Sequence, residues 1–235
     1  MFATPTAAAL HKLPEGYRSL LDSDEDLKPA RQYVAKRQVT KKVAKSAKLG
    51  AVLTDFESTN DDPDEEVRKA AQKAAFMSRG RVIAPIYDAA EKGLEGWSGR
   101  LYVKPRPGSR APKVLYSDAI ARARVLYNAA ALYQPSDTPV LLVEGVFDAL
   151  PYFPDVAAFL GKPSPGQVEV LLGSSRPVVV CLDGDSWLEG EMLGRRLMFE
   201  GRNNVAWVKL PPTLDPNDVD ANWLREEARR ALAGV

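Results

Sequence analysis

Cysteine and histidine are nearly missing from this chain: Cys181 and His11 stand alone in 235 residues. A single cysteine excludes an internal disulfide framework, and one cysteine with one histidine excludes a Cys/His zinc site built from this chain alone. No apolar run is long enough to span a bilayer. The start, Met1-Phe2-Ala3-Thr4-Pro5, has neither the basic nor the apolar region of a signal peptide. No Gly-Lys-Ser/Thr motif of the Walker type occurs, so no fused helicase motor is expected. A large excess of one charge is absent too, the formal net charge being +1. Cys181 lies in an apolar, strand-like run, where a thiol is expected to be buried and structural.

What is present is uneven. Residues 31–48 carry Arg31, Lys36, Arg37, Lys41, Lys42, Lys45 and Lys48 and no acid. Residues 55–66 are acidic. Residues 100–124 carry Arg100, Lys104, Arg106, Arg110, Lys113, Arg122 and Arg124 against Asp118. Local basic excess points to a polyanionic partner. The hydrophobic fraction of 45% and charged fraction of 27% are those of an ordinary globular protein.

Hydrophobic periodicity divides the chain into residues 1–138 and 139–235. In the first part a loose lead-in over 1–26 precedes two short helices over 29–48, the second capped by Thr40 and stopped by Gly50. A short strand over 51–55, an acidic helix from about Pro63 to Ala75, a hairpin of 81–87 and 94–103, a mobile loop over 104–112 and a partly helical 117–133 follow. In the second part apolar runs alternate with amphipathic ones: strands over 140–143, 156–160, 178–182 and 205–210, and helices over 147–152, 166–172, 188–200 and 219–232. Such alternation predicts a parallel sheet flanked by helices in three layers, preceded by a smaller mixed α+β basic region.

Parallel sheets place their sites at the carboxyl ends of the strands. There the sequence puts Glu144 and Asp148, then Asp183-Gly184-Asp185, then Asp215-Pro216-Asn217-Asp218. An acidic rim is a site for a hard divalent cation, and Mg²⁺ takes few protein carboxylates and completes its shell with water and phosphate. Glu144, Asp183 and Asp185 are the first candidates for catalysis and metal binding. Asp148, Asp215 and Asp218 are candidates for a second ion. Gly184 is expected to leave room for a phosphate. Trp187 is a candidate for contacting a base or ribose, whereas Trp97 and Trp207 read as core.

Val143-Glu144-Gly145-Val146-Phe147-Asp148-Ala149-Leu150 followed by Asp183-Gly184-Asp185 resembles the Toprim signature of bacterial-type primases, topoisomerases and some nucleases. Upstream, Tyr33–Thr40, Arg79–Asp88, Gly96–Arg100, Pro112–Ser117 and Arg122–Asn128 resemble, in order, the basic N-terminal part of the bacterial (DnaG-type) primase core. The resemblance spans about residues 13–225. One departure is Asn217, where bacterial primases more often carry an aspartate, leaving Asp215 as the better ligand.

The resemblance implies a DNA primase core that makes short RNA primers on single-stranded DNA by nucleotidyl transfer. Mg²⁺ or Mn²⁺ would be its cofactor and nucleoside triphosphates its substrates. Arg37, Arg81, Arg100, Lys113, Arg122 and Arg124 would then meet nucleotide and template phosphates. It also implies that the zinc-binding and helicase-binding regions of full-length primases are missing, an arrangement typical of phages and mobile elements. A separate zinc-ribbon protein or replicative helicase would be a partner, in the (host) cytoplasm. A Toprim nuclease, or a non-catalytic protein binding nucleic acid or a replisome, are the other readings.

Overall fold

The structure is a computed structural model describing residues 12–105, 108 and 110–234; His11 and Arg106 lie outside it. It contains two sheets. The first is antiparallel, formed in order by β1 (Arg18–Ser19), β2 (Gly50–Val52), β3 (Arg81–Tyr87), β4 (Leu94–Leu101) and β5 (Val114–Tyr116). The second is parallel, formed by β6 (Val140–Val143), β7 (Val156–Ala158), β8 (Val178–Val180) and β9 (Val205–Trp207) in the order β7-β6-β8-β9.

Helices α1 (Lys28–Lys36), α2 (Lys41–Ser46) and α3 (Glu65–Ser78) belong to the antiparallel region. Thr40 caps α2, its hydroxyl accepting from the Val43 N–H at 3.2 Å. Lys48, at φ +49°, turns the chain out of α2, and Gly50 begins β2 rather than ending the helix. Asp64 caps α3 by accepting from the Glu66 and Val67 N–H groups, and Glu65 and Glu66 complement the helix dipole. The β3–β4 turn is built on Asp88, whose carboxylate accepts from the Lys92 and Gly93 N–H groups at 2.9 Å each.

Period-two burial explains the parallel region. Val140, Leu142, Val178 and Val180 face α5 (Pro165–Leu172) and α6 (Trp187–Phe199), packing with Val168, Leu171, Leu193 and Leu197. Leu141, Val143, Val179 and Cys181 face the other way, toward α4 (Val146–Ala149) and α7 (Ala221–Ala233). Strands covered on both faces are apolar throughout, as these are. The second cluster continues into the antiparallel region through Leu27, Val34, Leu49, Val82 and Ile86, so one core links the two sheets. Cys181 is buried, and burial pushes its thiol up to about 12.

The sequence-based expectation differs in further places. Residues 117–133 are mostly turns, ending in a short 3-10 helix at Ala129–Leu132. The short edge strands β1 and β5 had no distinct periodic signal. Among the described residues, no helix is long and apolar enough to cross a membrane.

Candidate functional site

Adjacent parallel strands end side by side, and each delivers an acid. Glu144 follows β6. Asp183 follows β8 and leads through a 3-10 turn at Gly184–Ser186 into α6. Oδ1 of Asp183 is buried and has no hydrogen-bond partner. Its carboxyl is pushed up to about 7 by burial, then by the negative charges of Glu144, Asp148, Asp215 and Asp185. Burial likewise raises Glu144, against the positive charge of Lys162. A half-buried carboxylate crowded by four others and unpaired at one oxygen fits a cation.

Among the described residues, however, no three carboxylates come together closely enough to hold one ion. The set of six candidate ligands is spread around a rim. That spread suits Mg²⁺, which needs one or two protein carboxylates and takes its other oxygens from water and phosphate.

Asp148 occupies a different environment from Asp183. Arg37 approaches its Oδ1 at 3.4 Å and Arg100 at 3.9 Å, so the antiparallel region grips the parallel one here. Its carboxyl is still raised, by burial and by Asp215, with the two arginines opposing. The Asp148 carboxylate folds back over Gly145, where a Cβ would lie 2.2 Å from Oδ2. Asp148 is therefore already engaged with two cations, which counts against it as a free metal ligand.

Gly184 has a different reason for being glycine from the one expected. A Cβ there would sit 1.8 Å from the carbonyl oxygen of Pro211, and the Gly184 N–H donates to Leu214 at 2.9 Å. The room it leaves is filled by the backbone of the 211–214 loop, not by a phosphate. The chain runs on from that loop into Asp215 and Asp218. The Asp215 N–H donates to Asp218 Oδ2 at 3.1 Å, and the Asn217 N–H donates to Asp215 Oδ1 at 2.8 Å. Asn217 faces away from ligand chemistry: its amide donates to the Arg37 carbonyl at 3.2 Å. Gln38 returns bonds to the carbonyls of Asn217 and Val219 at 3.3 and 3.1 Å. The Tyr152 hydroxyl holds the Pro216 carbonyl.

The expected phosphate contacts divide. Arg81 is fully buried and donates to the carbonyls of Met77, Gly99, Lys113 and Pro112 at 2.7–3.3 Å. Burial lowers it to about 10. It is a structural arginine, and the phosphate role expected for it has no exposed face to act through. Lys113, Arg122 and Arg124 are exposed. Arg122 lies over the Tyr116 ring at 5.0 Å. The segment bearing Arg122 and Arg124 is fastened to α5: Gln167 donates to the Arg122 and Val125 carbonyls at 2.8 Å each, and Ser164 to that of Ala123 at 2.6 Å. Tyr116 feels the charges of Arg122, Asp148 and Glu144 together, which puts the end of the antiparallel sheet beside the acidic rim.

Trp187 is half-buried with the Lys209 ammonium 3.7 Å from its ring centre, so one face is covered by a cation. Trp97 is buried in the antiparallel sheet and Trp207 packs on Gly194 of α6, both as core. Three residues escaped the sequence reading. Arg176 and Arg202 are buried beneath the parallel sheet; Arg202 donates to the Ser174 carbonyl at 2.5 Å and Arg176 to that of Ala131 at 2.7 Å. Lys162 stands at the rim.

No known family profile matches the sequence, and no curated protein does. Solved structures do match. The primase of Aquifex aeolicus (zinc-binding and RNA polymerase domains) superposes with a TM-score of 0.63 at 23% identity over 92% of this chain. The chain has the fold of the DnaG primase catalytic core. It spans 57% of the Aquifex chain. A DnaG catalytic core matches with a TM-score of 0.62 at 22% identity, over 89% of this chain and 74% of that one. A DnaG catalytic domain bound to single-stranded DNA matches with a TM-score of 0.63 at 22% identity, over 91% and 76%. The antiparallel sheet, the parallel sheet and their flanking helices are common to that fold.

Proposed function

We propose that this chain is a primase catalytic core that joins ribonucleotides on a single-stranded DNA template by metal-dependent nucleotidyl transfer. The observation that carries the reading is Asp183: a carboxylate with one buried, unpaired oxygen, crowded by Glu144 and Asp185, in a fold shared with primase cores. One such core has been solved on single-stranded DNA.

One or two of Glu144, Asp183 and Asp185 would hold each Mg²⁺ or Mn²⁺, water and the triphosphate completing its shell, and Asp215 and Asp218 would act on a second ion or through water. A divalent ion there supplies charge neutralisation for the triphosphate and its departing pyrophosphate. The chain's own residues do the rest. Arg37 and Arg100, which flank Asp148, would add positive charge beside the acidic rim. Charge already in place costs no reorganisation when negative charge develops on a phosphate. Lys113, Arg122 and Arg124 offer exposed cations for the template backbone. The Gly184–Pro211 contact holds the third acidic loop against the second, and the Asn217 bond ties that loop to the Arg37 backbone.

Primer synthesis on a single-stranded DNA with labelled ribonucleotides and Mn²⁺ tests this. Asp183→Ala is expected to lower product by about 100-fold or more, the scale of losing electrostatic stabilisation at the reacting centre. Equal product from both proteins would remove Asp183 from the chemistry. Loss of the DNA itself in incubations without nucleotides would replace primer synthesis with a nuclease reading.

A further inference from the structure

On the parallel-sheet side of the acidic rim stands a lysine that the sequence pattern does not single out. Lys162 lies just beyond β7, beside β6, whose end bears Glu144. Pairing continues past the formal strands: Phe159 donates to the Val143 carbonyl and Gly161 to that of Glu144, each at 3.0 Å. This places residue 162 next to Glu144 by backbone bonds alone. Leu160 and Gly161 take φ of +62° and +122°. A left-handed leucine is uncommon, and here its side chain is buried in the core. Pro163 then restricts Lys162 to extended backbone, and Ser164 starts α5 with a capping box to Gln167. The turn is fixed on both sides of the lysine.

The Lys162 ammonium meets Glu189 Oε1 at 2.5 Å, with side chains 68% and 46% exposed. An ion pair so exposed adds little to stability, so Glu189 leaves the ammonium available to another anion. The positive charge of Lys162 also acts on Glu144 and Asp185, two of the acids that act on Asp183.

Taking the rim as the metal–nucleotide site proposed above, we infer that Lys162 binds the β- and γ-phosphates of the incoming nucleoside triphosphate, and that Glu189 holds it in readiness until phosphate displaces it. An ammonium is a point charge that exchanges one anion for another without a fixed fork geometry. Phosphate, carrying more charge than a carboxylate, competes well for it. Glu189 is a positioning residue and Lys162 the group that touches substrate.

The test is equilibrium binding of the full chain to a non-hydrolysable ribonucleoside triphosphate, and to the matching monophosphate, with Mg²⁺ present. Lys162→Met is expected to weaken triphosphate binding by about tenfold, the scale of one charge-assisted contact, and to leave the monophosphate unchanged. Lys162→Arg should recover most of the loss. Glu189→Gln should tighten the triphosphate severalfold by freeing the lysine. Equal weakening for both nucleotides would mean a general field effect and would overturn the inference, as would wild-type affinity in Lys162→Met. If Asp183→Asn loses triphosphate binding while Lys162→Met keeps it, the lysine assignment fails and the reading of the rim stands. If the wild-type protein binds no triphosphate, both fall.

Discussion

Arg81 in the antiparallel region and the Oδ1 atom of Asp183 in the parallel region are both withdrawn from solvent, yet they are treated in opposite ways. Arg81 gives its donors to four backbone carbonyls drawn from the end of α3, from β4 and from the segment before β5. Oδ1 of Asp183 has no partner and lies among like charges. A buried polar group that is fully bonded holds structure together, whereas one left open costs stability and is available for a ligand. Asp148 stands between these extremes, a rim acid whose charge is taken up by Arg37 and Arg100. Charge type alone did not separate the three.

The largest expected effect is at the closed end of this contrast. Arg81→Met should lower unfolding free energy by about 3 kcal/mol, since it leaves buried carbonyls without donors. A urea midpoint close to that of wild type would show that Arg81 is not the tie described. At the open end the sign reverses. Without divalent metal, Asp183→Asn should raise the thermal midpoint at pH 8, by less than Arg81→Met lowers it. Asp183 moves from an ordinary 3.8 to about 7 on folding, so the unfolded chain gives up its proton first. Stability should therefore fall as pH rises from about 4 to about 7, then level off, and this slope should shrink in Asp183→Asn. Added Mg²⁺ should stabilise wild type at pH 8 more than the variant. A variant that is less stable than wild type at pH 8 without metal would mean that Asp183 is a satisfied structural acid like the others.

The smallest expected effect sharpens the middle case. Asn217→Ala removes the 3.2 Å bond to the Arg37 carbonyl and should cost about 1 kcal/mol in a urea titration. Asn217→Asp, the residue the resemblance leads one to expect there, would lose the same amide donor. If Asn217→Asp proved as stable as wild type and bound Mn²⁺ more tightly, position 217 would be a metal position after all.

Much of the fold was legible. The apolar run 140–143 coincides with β6, and the hairpin strand β3 was expected over the same residues it occupies. Thr40 before α2 and the acidic start of α3 announced their helices because capping is local chemistry. Strand ends were read too long, β8 stopping at Val180 and β9 at Trp207, because apolar residues continue into the loops where the site sits. Glu144, Asp183 and Asp185 could be placed at the rim because parallel strands bring their carboxyl ends to one side. Arg81 and Gly184 read from the sequence as phosphate positions but meet backbone carbonyls instead, since what each touches lies in segments distant in the chain.

By itself, then, the sequence determined the alternation of strands and helices, the acids at the ends of β6 and β8, and the basic character of the region before them. All of these follow from periodicity, capping and the geometry of a parallel sheet. Only the tertiary structure decided which charges are closed and which are open. Whether an arginine meets carbonyls or solvent, and whether a glycine makes room for a phosphate or for Pro211, depends on what packs across from it, and no local pattern encodes that.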